Sequence, residues 1–200
     1  MKTYVVIPAR GGSKRLNNKN ICSIWDMPMI YWGIMACKYG SLYISDVFVS
    51  TEDSAIKTIS LNLNVKVIDR PPELAGDEVY KQDVIAHAVK QMAEKPDIVI
   101  SLQPNSPEVR PVDLDNALEK LIKYDRNEVF SVDSNLIQNA AFRVMKCDYV
   151  FQKSISTKCG VFVTDYVDIH NIEDLEYVEK NRSPWYLEYQ KIRGVQWKAD

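Results

Sequence analysis

Apolar residues recur along the chain in two periods, and the two alternate from the amino terminus onward. Residues 4–7 form a continuous apolar run closed by Pro8, the pattern of a short strand buried on both faces. Ile30, Gly33, Ile34 and Cys37 then fall at i, i+3, i+4 and i+7, which predicts a helix over Met29–Tyr39, stopped by Gly40. Residues 46–50 predict a second strand, followed by a helix opening near Asp53 with Thr51 or Ser50 as its cap, and residues 65–68 a third strand. Ile85, Ala88, Val89 and Met92 repeat the helical spacing, Ile98–Leu102 reads as a fourth strand, and Leu114, Ala117, Leu118, Leu121 and Ile122 stripe the next helix. From Val129 the runs shorten, at 129–132, 141–145 and 161–164, before a helix over Ile172–Lys180. The pattern predicts a three-layer α/β domain with a mostly parallel sheet and a mixed extension in its second half. A tail carrying Trp185, Tyr186, Tyr189 and Trp197 is expected to cover a core or a partner subunit.

Composition narrows this picture. The 200 residues are 46% apolar and 26% charged, which suits one domain over residues 1–200. Lys plus Arg number 25 against 27 acids, so there is no whole-surface field to hold nucleic acid or an anionic membrane, and any phosphate binding has to be local. Cys22, Cys37, Cys147 and Cys159 show neither C-x-x-C nor zinc-type spacing, which points to reduced thiols in a cytoplasm. The first apolar run is too short for a signal sequence or a membrane span, and a cytoplasmic, unprocessed protein is expected.

In an open α/β sheet ligands bind where strands end, so the loops after the first and fourth strands are where chemistry is expected. The first reads Ile7-Pro8-Ala9-Arg10-Gly11-Gly12-Ser13-Lys14-Arg15-Leu16-Asn17-Asn18-Lys19-Asn20. Adjacent glycines let the backbone turn tightly and aim amide groups at an anion, and Arg10, Lys14, Arg15 and Lys19 add four cations. That composition suits a polyphosphate; a solvated basic loop is the competing reading. The loop matches neither G-x-G-x-x-G nor G-x-x-x-x-G-K-[ST], which disfavours a dehydrogenase or a P-loop NTPase.

This loop resembles the signature I-P-A-R-G-G-S-K-x-x-x-x-K-N of the sugar-activating cytidylyltransferases, the family that makes CMP-sialic acid and CMP-Kdo. The resemblance continues through Ser50-Thr51-Glu52-Asp53, Arg70-Pro71-Pro72-Glu73-Leu74-Ala75-Gly76-Asp77, Leu102-Gln103-Pro104-Asn105-Ser106-Pro107 and Val167-Asp168-Ile169-His170-Asn171-Ile172-Glu173-Asp174-Leu175. It implies a Rossmann-like nucleotidyltransferase fold and CMP transfer from CTP to the anomeric hydroxyl of an acidic sugar, the acylneuraminate branch fitting better than the Kdo branch. By resemblance, Ala9, Arg10, Gly11, Gly12, Ser13, Lys14, Lys19, Asn20 and Arg70 bind the nucleotide, with Lys19 or Arg10 nearest the developing charge. Gln103 faces the acceptor, and Asp168 with His170 stands at the metal position. Arg70 has a second reading as a loop cap through an acid such as Asp77. The His87 imidazole is expected to be packed or at the surface rather than catalytic.

Departures from the family pattern gather where acceptor and metal are expected. The D-x-D that holds magnesium in the family is Asp168-Ile169-His170 here, and imidazole suits manganese better than magnesium. Cys159-Gly160-Val161-Phe162-Val163 replaces N-G-A-x-Y, and Lys81 stands where serine is common. The stretch 133–158, which in the family supplies dimer contacts and a basic residue for the sugar carboxylate, is short. Arg143, Lys146, Lys153 and Lys158 remain as candidates for that residue, Lys158 foremost, and a homodimer is possible. The alternatives to a working enzyme are a nucleotide-binding homologue with weak or no transfer, or one that uses another NTP.

Overall fold

The structure, a computed structural model, describes residues 1–196, with side chains described through residue 192. Its strands and helices are β1 (Thr3–Pro8), β2 (Ser23–Ile24), β3 (Met27–Pro28), α1 (Met29–Tyr39), β4 (Ile44–Thr51), α2 (Ser54–Asn62), β5 (Lys66–Asp69) and α3 (Lys81–Lys90). They continue with β6 (Ile98–Leu102), α4 (Pro111–Lys123), β7 (Glu128–Val132), β8 (Gln138–Lys146), β9 (Cys159–Val163), α5 (Ile172–Lys180) and α6 (Pro184–Gln196).

Seven strands form one sheet in the order β5-β4-β1-β6-β8-β7-β9. β5, β4, β1 and β6 are mutually parallel, β8 runs antiparallel to both its neighbours, and β7 pairs parallel with β9. The sheet is thus mostly parallel with a mixed second half, as the change of rhythm after Val129 predicts. Both faces are covered. Val5 and Ile7 of β1 point into a large core with α1 and α4, while Tyr4 and Val6 point into a smaller one with α3 and the short helical turn Cys147–Phe151.

Local chemistry accounts for the boundaries. α2 is capped by Asp53, whose side chain accepts from the Ile56 amide, so the cap is neither Ser50 nor Thr51. Gly40 does end α1, but its φ of −123° is open to any residue. What excludes a side chain there is close approach, since a Cβ at Gly40 would run into the Pro111 ring that begins α4. α5 opens with a reciprocal capping box between Asn171 and Asp174.

α6 is absent from the sequence reading, though Ser183 followed by Pro184 is a cap and first-turn signal; the Ser183 hydroxyl accepts from the Tyr186 amide at 3.2 Å. Trp185, Tyr186 and Tyr189 are buried against Trp25, Tyr31 and Trp32, so these tail aromatics cover the core rather than wait for a partner. Trp197 lies outside the described residues. The β2–β3 hairpin turns on Trp25 and Asp26, both at positive φ, and the Trp25 indole donates to the Val178 carbonyl at 3.1 Å, fastening α5 to the start of the chain. Among the described residues no helix is long and apolar enough to cross a membrane.

Candidate active site

Pairing of Pro8 with Ser50 and of Thr51 with Asp69 brings the ends of β1, β4 and β5 level, and β6 ends beside them. The loops that leave these ends enclose a cleft of about 460 Å³. Its cationic lining is Arg10, Lys14, Arg15, Lys19, Arg70 and Lys81; Asp77 is the carboxylate that lines it with them. The basic loop therefore sits at the carboxyl edge, as the alternation of strands and helices requires, and not as an isolated solvated segment.

Each part of the loop is held from below. The Ala9 amide continues the β1–β4 ladder to the Ser50 carbonyl at 3.0 Å. The Gly11 amide donates to Glu52 at 2.8 Å, and a Cβ at Gly11 would meet the Asp53 carboxylate; nothing stands within 4 Å of one at Gly12. Neither glycine has positive φ, so Gly11 is required by close approach, and Gly12 by no steric contact. The left-handed residue is instead Asn18, which opens the helical turn Lys19–Ile21. Asn20 is buried there and ties the turn back to the Arg10 carbonyl at 2.9 Å. Ser13 lines the cleft beside Lys14.

Two carboxylates of the protein already occupy donors of this loop. Glu52 takes the Gly11 amide, and Asp77 bridges Arg10, at 2.6 Å, and Lys14. These two cations, Lys14 before Arg10, hold the Asp77 carboxyl below the usual carboxylate range. Asp77 is therefore the partner of Arg10 and Lys14, not of Arg70. Arg70 is buried and donates to the Ser50 carbonyl at 2.6 Å and the Ser50 hydroxyl at 3.3 Å, with Glu52 at 3.7 Å. Burial lowers its pKa and Glu52 opposes that, but a guanidinium keeps its charge throughout.

Across the cleft, Lys19 reaches the Ile169 carbonyl at 3.0 Å, and Asn105 donates to that carbonyl and to Asp168. The His170 Nε2 lies 3.0 Å from the other Asp168 oxygen, while Asn171 caps α5. The imidazole thus faces Asp168 and is not spent on the helix. Burial raises the Asp168 pKa, against the pull of His170, Lys19 and Lys81. Desolvation lowers Lys19 and also Lys81, which lines the cleft, while Asp168 opposes the shift in both. Among the described residues no three His, Cys, Asp or Glu side chains gather as a metal cluster.

Gln103, buried at the end of β6, lines the same cleft. Lys158 does not reach it. β9 runs parallel to β7, so Lys158 lies at the opposite, amino-terminal edge, 3.2 Å from Asp125. Lys146 shares that partner, and Arg143 is bound to the buried Glu128 and to Gln82, so neither reaches the cleft wall. Lys153 is also absent from the lining. Glu52, Asp77, Asn105 and Lys81 join the site without having been given these roles from sequence. All but Lys81 stand inside the quoted motifs, and Lys81 is itself a departure from the pattern, which is the signal that marks them.

The chain is 35% identical over 127 residues to N-acylneuraminate cytidylyltransferase A of Danio rerio, a match covering 64% of this chain and 29% of that protein. To the N-acylneuraminate cytidylyltransferase of Streptococcus agalactiae serotype III (strain NEM316) it is 32% identical over 132 residues, covering 66% of this chain and 32% of the other. It spans about a third of the length of these curated relatives. The fold matches the structure of CMP:2-keto-3-deoxy-manno-octonic acid synthetase complexed with CTP at a TM-score of 0.76 and 17% identity, covering 96% of this chain and 100% of that one. The family model described as cytidylyltransferase matches residues 4–191, from the strand that launches the basic loop to the helix that closes the core, and the chain belongs to the cytidylyltransferase family.

Proposed function

We propose that the chain transfers CMP from CTP to the anomeric hydroxyl of an acidic nine-carbon, sialic-like or related 3-deoxy-ulosonic sugar. The observation that carries this reading is the cleft, where six cations converge at the carboxyl edge beside one lining carboxylate. The sugar oxygen attacks the α-phosphorus, the bond to the β-phosphate oxygen breaks, pyrophosphate leaves, and the hydroxyl proton passes to solvent. A displacement of this kind needs in-line positioning and charge neutralisation more than covalent help from the protein. Arg10 and Lys14, exchanging Asp77 for phosphate, hold the triphosphate with Ser13 and Lys19, while Ala9, Gly11 and Gly12 shape its bed, and Asn20 and Arg70 complete the nucleotide pocket. Gln103 faces the acceptor. The names of the two relatives support an acylneuraminate, and that of the solved neighbour a 3-deoxy-octulosonate; the proposed acceptor is the class that spans both.

The donor set offers a divalent ion one hard oxygen ligand, Asp168, and one imidazole, His170, with Lys19 close by. That fits magnesium, or more readily manganese, carried in on the phosphates, and does not fit a centre held by protein alone. Asp168 and His170 would hold such an ion, which would neutralise phosphate charge. His170→Asp is expected to raise activity with magnesium and narrow the tolerance for manganese. An unchanged ratio of the two activities would remove His170 from the metal position.

A homodimer belongs to this reading. Exposed Leu136, Ile137 and Val163 support it, since they lie toward one end of the sheet, where Val132 pairs with both Gln138 and Val163. Sedimentation as a monomer at micromolar concentration would remove it. The second reading, a nucleotide-binding homologue with weak or no transfer, is favoured by the imidazole at the second metal position. Pyrophosphate release measured across four NTPs and a panel of ulosonic acids separates the two. Release with CTP and an acid supports transfer, and CTP binding without release leaves the second reading.

A further inference from the structure

Asp168 and His170 stand on either side of Ile169, whose side chain is fully buried in the core. The backbone of Ile169 is pinned from two directions. Its carbonyl accepts from Lys19 Nζ of the basic loop at 3.0 Å and from Asn105 Nδ2, in the loop after β6, also at 3.0 Å. Its amide donates to the Asn105 carbonyl at 3.0 Å. Asn105 Nδ2 gives its second proton to Asp168 Oδ1, while Asp168 Oδ2 lies 3.0 Å from His170 Nε2. Asn105 itself is 7% exposed, so these bonds are made away from bulk water.

The chemistry of the two partners explains why an amide stands here. A carbonyl and a carboxylate both accept and neither donates, and one amide nitrogen carries the two protons that serve them together; a hydroxyl has one. A cation would also serve both, but it would pair with the carboxylate, as Arg143 does with Glu128 and Arg10 with Asp77. Asn105 fixes one oxygen of Asp168 and adds no charge. Lys19 and Lys81 act on Asp168 from farther away, and among the described residues His170 is the basic side chain within ion-pair distance of it.

We propose that Asn105 is a positioning residue for the divalent ion that accompanies CTP: it holds the Asp168 carboxylate in one orientation, on the peptide that also anchors Lys19. A cation carried in on the phosphates then meets an oxygen ligand that is already oriented and still charged. The role rests on the metal position given to Asp168 above, and it holds whether or not transfer follows binding.

The test is calorimetric titration with CTP, once with manganese and once in EDTA, of wild type, Asn105→Ala, Asn105→Ser and Tyr166→Phe. The last variant loses the hydroxyl that binds the Arg110 amide and Asp113, and so loosens the same segment without touching Asp168. Manganese is expected to tighten CTP binding to the wild type, and Asn105→Ala to cut that gain about tenfold while its affinity in EDTA stays within about twofold. Asn105→Ser, with one donor left, should fall between the two. A gain undiminished in Asn105→Ala overturns the proposal. An equal loss in Tyr166→Phe does the same, because general anchorage of the segment would then be what matters. A parallel loss in EDTA would make Asn105 a ligand of the nucleotide instead. Absence of any gain in the wild type removes the metal position and this role with it. Pyrophosphate release, measured separately with an acceptor, decides the transfer reading and leaves these binding outcomes as they stand.

Discussion

Arg10 and Lys19 approach the cleft from the two ends of one loop, and each is anchored by something other than a ligand: Arg10 by Asp77, Lys19 by the Ile169 carbonyl. Each would face the charge that develops on the phosphates, Lys19 already fixed by a neutral carbonyl and Arg10 once phosphate displaces Asp77, so Arg10→Ala and Lys19→Ala are each expected to lower kcat/KM by about a hundredfold or more. Lys158→Ala, from the far edge, should leave it unchanged; steady-state kinetics of the three variants checks both statements. Asp77 competes with phosphate for Arg10 and Lys14. Asp77→Asn should therefore tighten CTP about three- to tenfold by calorimetry, because less of the unliganded protein is held in a self-occupied state. Weaker binding would mean that Asp77 positions the cations instead. These residue-level roles were only partly legible. The basic loop advertises phosphate by composition alone, but whether a distant lysine shares its edge depends on strand direction. β9 runs parallel to β7, which no local pattern around Lys158 reveals. Glu52 was hidden for a related reason, since its role comes from lying under the Gly11 amide, 41 positions away.

Among the elements, the strands that sequence located best are those buried on both faces, because a continuous apolar run has few other meanings. Two-residue strands such as β2 and β3 carry no period at all, and α6 hides its apolar stripe among charges. The segment between β9 and α5 is the element whose placement matters most to the site, as it delivers Asp168 and His170. It is fixed by the Glu108 carboxylate, which accepts from the Val167 amide at 2.9 Å, and by the Tyr166 hydroxyl, which accepts from the Arg110 amide at 3.0 Å and donates to Asp113. Burial pushes Glu108 above the usual carboxylate range, against the pull of the Val167 amide. With the folded pKa above the unfolded one, the native state binds more protons between the two values, so this group's contribution to stability falls as pH rises through that window. Glu108→Gln keeps an acceptor for Val167 and removes the charge. It should be more stable than wild type at neutral pH, the difference closing below about pH 4, where the unfolded carboxyl is protonated as well. Denaturant midpoints across that range provide the check, and a difference independent of pH would mean that charge is not the cause.

At the scale of the whole molecule, the two ends of the chain build one core. Trp32 lies under Tyr186 and Tyr189, and the hydroxyls of Tyr31 and Tyr189 meet at 2.5 Å. A chain ended after Asn181 would uncover Trp25, Tyr31 and Trp32 together. It should lose cooperative unfolding and most of its near-ultraviolet dichroism, whereas retention of a wild-type melting curve would show that α6 is dispensable to the core.

The same closure has a consequence in time. The Trp25 indole finds its carbonyl 153 positions later, at Val178. At ~5–20 residues per second, a ribosome needs roughly ten to thirty seconds to deliver that partner after Trp25 itself has been made. Throughout that interval the aromatic face of α1 is finished but uncovered by α6, so the nascent chain offers chaperones a fixed hydrophobic target. The pace of translation between Trp25 and Val178 then governs how long that exposure lasts.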